Sequence, residues 1–284
     1  MDDKLSYKPE LRRIDSQKLI RGKLMTKPKI GLSMLYCLGE PFKRMRENLT
    51  KALTNYIEII DDGFHTLNKQ RVSALNAIGE SYDLQYSVHA PFADINIASP
   101  SKQMLTAMLK RLEKSISYTN ALNAYAWVFH PGLKTGISMF YPGVDWIQNQ
   151  KTTRILLKIA ENYGVKIVIE NVPEPYPFLM KNIDDFTKFY QEIGNDVKLA
   201  FDVGHANLNG QIEPFLKVFA DKIVHIHAHD NNGSHDQHLG IGYGNIDWKN
   251  FADILKQMGY DKTVIVESVE HVSESVQKLN QLFS

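Results

Sequence analysis

From Lys29 onward, short apolar runs alternate with longer segments in which apolar residues recur at helical spacing. The runs predict strands over 29–35 (KIGLSML), 56–61 (YIEIID), 84–89 (LQYSVH), 125–130 (YAWVFH), 165–170 (VKIVIE), 197–202 (VKLAFD), 223–228 (IVHIHA) and 263–267 (TVIVE). Most are nearly continuous rather than alternating, the pattern of parallel strands buried on both faces. The clearest helix lies over 101–121, where Leu105, Met108, Leu109, Leu112 and Ile116 share one face. Further helices are predicted near 43–53, 67–79, 146–163, 182–193, 211–220, 247–258 and 272–283. Gly164 and Gly259 supply C-terminal caps, and Asp247 an N-cap.

Eight strand–helix units at a mean spacing of about 33 residues call for an α/β fold of the (β/α)₈ TIM-barrel type. A doubly wound sheet is disfavoured, because no Gly-rich dinucleotide fingerprint follows the first strand. The expected organisation is a basic N-terminal extension over 1–28 and a single catalytic barrel over 29–284. Met25 is a candidate alternative start. The proline cluster PEPYP (173–177) reads as a rigid loop beside the active site.

Composition narrows the class. Of 284 residues, 43% are apolar, enough for a sizeable core. No apolar run approaches the ~20 residues of a membrane helix, and the start lacks a signal-peptide core, so a cytoplasmic protein is expected. The single cysteine, Cys37, excludes an internal disulfide and a cysteine-cluster metal site, and reads as a small buried hydrophobe. The net charge of +1 hides an asymmetry: residues 1–30 carry nine Lys/Arg and four Asp/Glu, while the rest of the chain is net acidic. A long phosphate backbone would find electrostatic help only at the extension. Nothing in the composition opposes a homo-oligomer.

The chemistry concentrates at strand ends. Eight of the ten histidines fall at the C-terminal ends of predicted strands or just beyond: His89, His130, His205, His225, His227, His229, His235 and His238. Glu170, Asp202, Asp236 and Glu267 hold corresponding places. In a parallel barrel these ends converge on the face that carries active sites. Carboxylates there would pay heavily for desolvation unless cations balance them, and mixed imidazole and carboxylate suits Zn²⁺, Mn²⁺ or Fe²⁺. Period-two alternation puts His225, His227 and His229 on one side. Of these three, His227 is expected to ligate metal, the other two to pack or support. A second ion is expected near His89 and His130. Glu58 is expected to reach the mouth and bond a substrate hydroxyl, or else to form a structural ion pair. The aromatic residues Phe92, Phe140, Tyr141, Tyr176, Phe178, Tyr243 and Trp248 are expected near the mouth, with Phe92, Tyr176 and Trp248 as candidate substrate contacts. The glycine-rich stretch 240–244 reads as a loop shaping the site rather than a phosphate loop.

The segments SVHAPFADINIAS (87–99), VFHPG (128–132), VIENVP (168–173), FDVGHAN (201–207), HIHAHDNN (225–232), DQHLGIGYGNIDW (236–248) and VIVES (264–268) together resemble the xylose-isomerase-like barrel superfamily, over about residues 29–284. That superfamily includes sugar and sugar-phosphate isomerases and epimerases, and endonuclease IV of the AP endonuclease family 2. The resemblance implies two metal patterns. The epimerase pattern holds one divalent ion with Glu170, Asp202, His227 and Glu267. The two glutamates flank the sugar, one removing a proton alpha to the carbonyl and the other returning it while the metal stabilises the enediolate. The endonuclease IV pattern holds three zincs with His89, His130, Glu170, Asp202, His205, His227, Asp236, His238 and Glu267, and cleaves phosphodiesters at abasic sites. In isomerase-like relatives such extra histidines can bind substrate hydroxyls, so His205 is also a candidate substrate contact.

All nine positions carry suitable residue types, yet the DNA-facing segments depart from the nuclease pattern. NVPEPYPF (171–178) replaces a Gly-rich polar loop, HisProGly replaces a polar turn after strand four, and Phe92 stands where a tyrosine is expected. The sequence therefore favours a metal-dependent isomerase or epimerase of a small sugar or sugar phosphate, with one to three ions, Zn²⁺ or Mn²⁺ foremost. A zinc phosphodiesterase acting on abasic DNA is the alternative, and an inactive sugar-binding barrel the second alternative.

Overall fold

The computed structural model describes residues 27–284; the expected extension lies outside them apart from Lys27 and Pro28, as does Met25. Eight parallel strands close into a barrel in sequence order. They are β1 (Lys29–Ser33), β2 (Tyr56–Ile60), β3 (Gln85–His89), β4 (Trp127–Phe129), β5 (Ile167–Glu170), β6 (Lys198–Asp202), β7 (Ile223–Ala228) and β8 (Thr263–Val266). β8 pairs with β1 to complete the cylinder. The outer ring comprises α1 (Phe42–Leu49), α2 (Lys69–Tyr82), α3 (Lys102–Ala121), α4 (Val144–Tyr163), α5 (Ile183–Ile193), α6 (Val203–Asn207), α7 (Ile212–Val218), α8 (Trp248–Met258) and α9 (Val272–Leu282).

Each strand faces two ways. Outward residues such as Ile57, Ile59, Val88 and Ile169 are buried against the helices in the main apolar core. Inward residues Val128, Val168 and Ala200 form a separate small cluster inside the barrel. Two residues further along the same strands stand His130, Glu170 and Asp202, so pleat alternation lifts these polar groups exactly one layer above an apolar plug. On α3, the helix-period face delivers Leu112 and Ile116 to full burial, about 1.5–3 kcal/mol for each such side chain.

The helix boundaries differ from the pattern in two informative places. Periodicity over 43–53 overshoots α1, because the chain turns at Thr50 and the Thr54 hydroxyl then donates to the Ile30 carbonyl at the lower rim. α2 begins later than expected because Asn68 caps it, and runs through Gly79 to a left-handed stop at Asp83. Gly79 is tolerated in the helix because a Cβ there would come within 3.0 Å of the Tyr86 ring. Among the described residues, no helix is long and apolar enough to cross a membrane. Cys37 is buried, its thiol donating to the Met34 carbonyl.

Candidate metal centre

At the C-terminal end of the barrel the ligand-type side chains gather into adjacent groups, within each of which the donor atoms lie within 4.8 Å of one another. One is Glu170, Asp202, His227 and Glu267, supplied by four consecutive strands or their ends; a second is His89, His130 and Glu170. A third is His205, His229, Asp236 and His238. All nine residues of the longer pattern are thus brought together, with Glu170 shared between two groups.

Local structure explains each placement. Asp202 ends β6 and caps α6: its Oδ1 accepts from the His205 backbone N–H at 2.7 Å, which fixes the His205 side chain one turn away. The Asn171 side chain clamps β5 to β6, accepting from the Asp202 N–H at 2.7 Å and donating to its carbonyl at 2.9 Å. Asp236 and His238 sit on the loop after β7, which Asp230 organises by accepting from Asn231, Gly242 and Ile246 N–H groups and from the Trp248 indole. His238 adopts φ +48, a left-handed conformation uncommon outside glycine and a frequent mark of functional sites.

Whether the cluster suits divalent ions is decided by its unpaired atoms. Glu170 Oε2, Asp202 Oδ2, Asp236 Oδ1 and both ring nitrogens of His229 are buried without hydrogen-bond partners. Such atoms cost free energy unless a cation or donor meets them. Three imidazoles are pre-aimed. His89 Nδ1 lies 2.9 Å from the Ala90 carbonyl, His205 Nδ1 2.7 Å from that of Asn171, and His238 Nδ1 2.9 Å from that of Glu267. A carbonyl only accepts, so in the neutral ring Nδ1 carries the proton and Nε2 offers its lone pair to the site. These Nε2 atoms stand 3.4 Å from carboxylate oxygens of Glu170 (His89) and Asp236 (His205 and His238). The residues fit divalent cations held by nitrogen and oxygen.

The electrostatics have the same origin. Burial lowers the His89, His205 and His238 imidazoles, but the neighbouring carboxylates outweigh it and raise them to about 9, 10 and 9. His227 is likewise held well above its ordinary value, burial being overcome by Glu267, Glu170 and Glu58. The two glutamates move apart. Burial pushes Glu267 up to about 7 against the pull of His227, whereas for Glu170 the pull of His227, His130 and His89 overcomes burial and holds it well below the carboxylate range.

Above the groups lies a cavity of about 560 Å³. It is lined by His89, His130, Glu170, His205, Asp236, His238 and Glu267 together with the apolar groups of Leu35, Leu38, Ile60, Phe92, Tyr176, Phe178 and Val269. Phe92 and Tyr176 thus line the cavity, and Pro173 of the proline loop joins the wall. Phe92 packs edge-on against His89 and Phe178 against His130, bracketing two candidate ligands.

Other candidates lie off the cavity. Glu58 does not reach the mouth and forms instead the buried ion pair that was its other expected role: paired in register with Ser87, it sits two residues short of the His89 layer, against His225 and His227. Trp248 is buried beneath the loop, its indole N–H given to Asp230 at 2.8 Å, and it does not line the cavity. His229, expected to pack or support, lies beside the third group, Nε2 3.2 Å from Asp202 Oδ1, because Gly204 leaves room for its ring. Phe140 and Tyr141 are exposed and also stand off the cavity, as does Tyr243, which stacks on His271. Asn171 and Asp230 were missed; each directly adjoins a singled-out residue, but no periodicity distinguishes a clamp from a surface polar group.

The fold and the ligand groups can be set beside known proteins. An uncharacterised protein of Methanocaldococcus jannaschii is 31% identical over 244 residues, covering 84% of this chain and 83% of that protein. A D-psicose 3-epimerase of Ruminiclostridium cellulolyticum is 23% identical over 236 residues, 80% of this chain and 78% of its own. A probable endonuclease 4 of Staphylococcus aureus is 25% identical over 176 residues, 56% of this chain and 57% of that protein. Among solved structures, a D-tagatose 3-epimerase-like protein superposes with a TM-score of 0.84 at 29% identity, covering 89% of this chain and 96% of that one. The family model for xylose isomerase-like TIM barrels matches residues 49–282. Eight parallel strands in a closed barrel, with acids and imidazoles gathered at their C-terminal ends, match that assignment: the chain belongs to the xylose isomerase-like TIM barrel family.

Proposed function

We propose that the protein is a divalent-metal-dependent sugar isomerase or epimerase. One observation carries the reading: Glu170 and Glu267 converge with Asp202 and His227 beneath a cavity of small-molecule size, about 560 Å³. Glu170, Asp202, His227 and Glu267 would hold the ion. When bound, the ion would hold substrate oxygens and offset the negative charge that develops when a proton leaves the carbon beside a carbonyl. Glu170 and Glu267, arriving from β5 and from the end of β8, are the groups placed to remove and return that proton. Phe92, Tyr176 and Phe178 offer apolar faces for the sugar carbons and exclude water. Relatives named as ketose 3-epimerases support the same class.

The test is solvent deuterium exchange. Metal-loaded protein in D₂O should introduce one deuteron beside the carbonyl of an accepted ketose, and Glu267→Gln should slow this by at least about 100-fold. A second reading, hydrolysis of a phosphodiester at abasic DNA, is favoured by the completeness of the nine-residue set in contiguous groups. Chelator-sensitive incision of an abasic duplex, with no exchange into any ketose or ketose phosphate, would replace the first reading by the second.

A further inference from the structure

His227 is aimed differently from the other candidate ligands. His89, His205 and His238 each rest Nδ1 on a backbone carbonyl and turn Nε2 to the site. In His227 it is Nδ1 that faces the carboxylates, 2.8 Å from Glu170 Oε1, 3.5 Å from Glu267 Oε2 and 4.0 Å from Asp202 Oδ2. Among the described residues no backbone carbonyl accepts from its Nε2, on the other side of the ring. What approaches it is Glu58 Oε1, at 3.0 Å, and neither atom has any other hydrogen-bond partner.

Glu58 is itself held from several sides. Its Oε2 lies 3.0 Å from His225 Nε2 and accepts from the Ser87 hydroxyl at 3.0 Å. Behind these, Thr263 Oγ1 lies 2.9 Å from His225 Nδ1, and the Tyr125 hydroxyl donates to Ser87 Oγ at 3.2 Å. The neighbouring inward positions are small, Ser87 beside it and Ala200 and Thr263 beside His225, which gives the carboxylate and two imidazoles room inside a barrel. A wholly buried carboxylate that does not line the cavity above is costly, and an apolar residue would fill the place more cheaply unless its charge serves a neighbour.

We propose that Glu58 is a positioning residue that accepts the Nε2–H of His227 and thereby commits its Nδ1 to the metal. It plays for His227 the part that backbone carbonyls play for His89, His205 and His238, while Ser87 and His225 keep its carboxylate from turning away. Glu58 touches neither substrate nor ion. The inference rests on the metal centre and not on the sugar chemistry.

The test uses metal uptake rather than turnover. Zinc affinity is measured by competition with a chromophoric chelator for the wild type, Glu58→Gln and Ser87→Ala. Glu58→Gln should weaken binding about 10–100-fold, the usual scale for losing a partner that orients a ligand. Ser87→Ala, which loosens Glu58 without touching His227, should weaken it less. Nitrogen-15 spectra of the zinc-loaded wild type should show His227, assigned by its loss in His227→Asn, protonated at Nε2 and ligated through Nδ1. Ligation through Nε2, or Glu58→Gln zinc affinity equal to wild type, overturns the proposal. The spectrum decides even if Glu58→Gln fails to fold. Because no ketose enters these measurements, an absence of epimerase activity leaves the outcome unaffected.

Discussion

Loading the site with a divalent ion should expel protons, and the number expelled can be worked from the structure. At pH 7 His227, held well above the ordinary imidazole value, is protonated before the ion arrives, and Glu267, at about 7, is half protonated. Glu170 and Asp202 are already ionised. Filling this group alone should therefore release about 1.5 protons. Filling the other groups should add about one proton from His89 and about two from His205 and His238, their imidazoles lying at about 9, 10 and 9. Affinity at the four-residue group should fall about 30- to 100-fold per unit as pH drops from 7, about 2–3 kcal/mol. Calorimetric titration with Mn²⁺ or Zn²⁺ in buffers of different ionisation enthalpy reads the proton count directly, and distinguishes one ion from three. An enthalpy of binding that does not depend on the buffer would refute the reasoning. The fold should carry the same signature in chelator-treated protein. Imidazoles raised above 6.5 in the folded chain hold protons that the unfolded chain has lost. Their contribution is whole below about pH 6.5 and fades as pH climbs through 9 to 10, so the melting temperature should decline across that window.

Other outcomes separate positioning from chemistry. Gly204→Ala would place a Cβ 2.1 Å from the His229 ring, so it should lower stability by about 1–3 kcal/mol and perturb the third ligand group. Thermal melting and ion stoichiometry check this, and an unchanged melt with full loading contradicts it. Trp248→Phe removes the indole donor from buried Asp230 and should cost about 1–3 kcal/mol while leaving KM for an accepted ketose unchanged. A tenfold rise in KM at wild-type melting temperature would restore Trp248 to the substrate site.

The barrel and the convergence of most candidate ligands were legible in the chain because both follow from strand periodicity. Continuous apolar runs mark strands buried on two faces, and ligand-type residues at their C-terminal ends must meet on one rim. That reasoning put Glu170, Asp202, His227 and Glu267 in one place. It could not assign depth. Glu58 and His89 both sit inward near strand ends, yet the register of β2 on β3 buries one and leaves the other at the cavity, and register is a property of paired strands. Nor could it read His229 or Trp248, whose positions depend on contacts far along the chain with Gly204 and Asp230.

Sequence by itself thus determined which chemistry arrives at the mouth of the barrel. For His205, His227 and His238, only the tertiary structure decided which nitrogen faces inward. That choice is made by a partner on another strand or loop, a carbonyl for His205 and His238 and a buried carboxylate for His227, and such partners become neighbours only when the barrel closes.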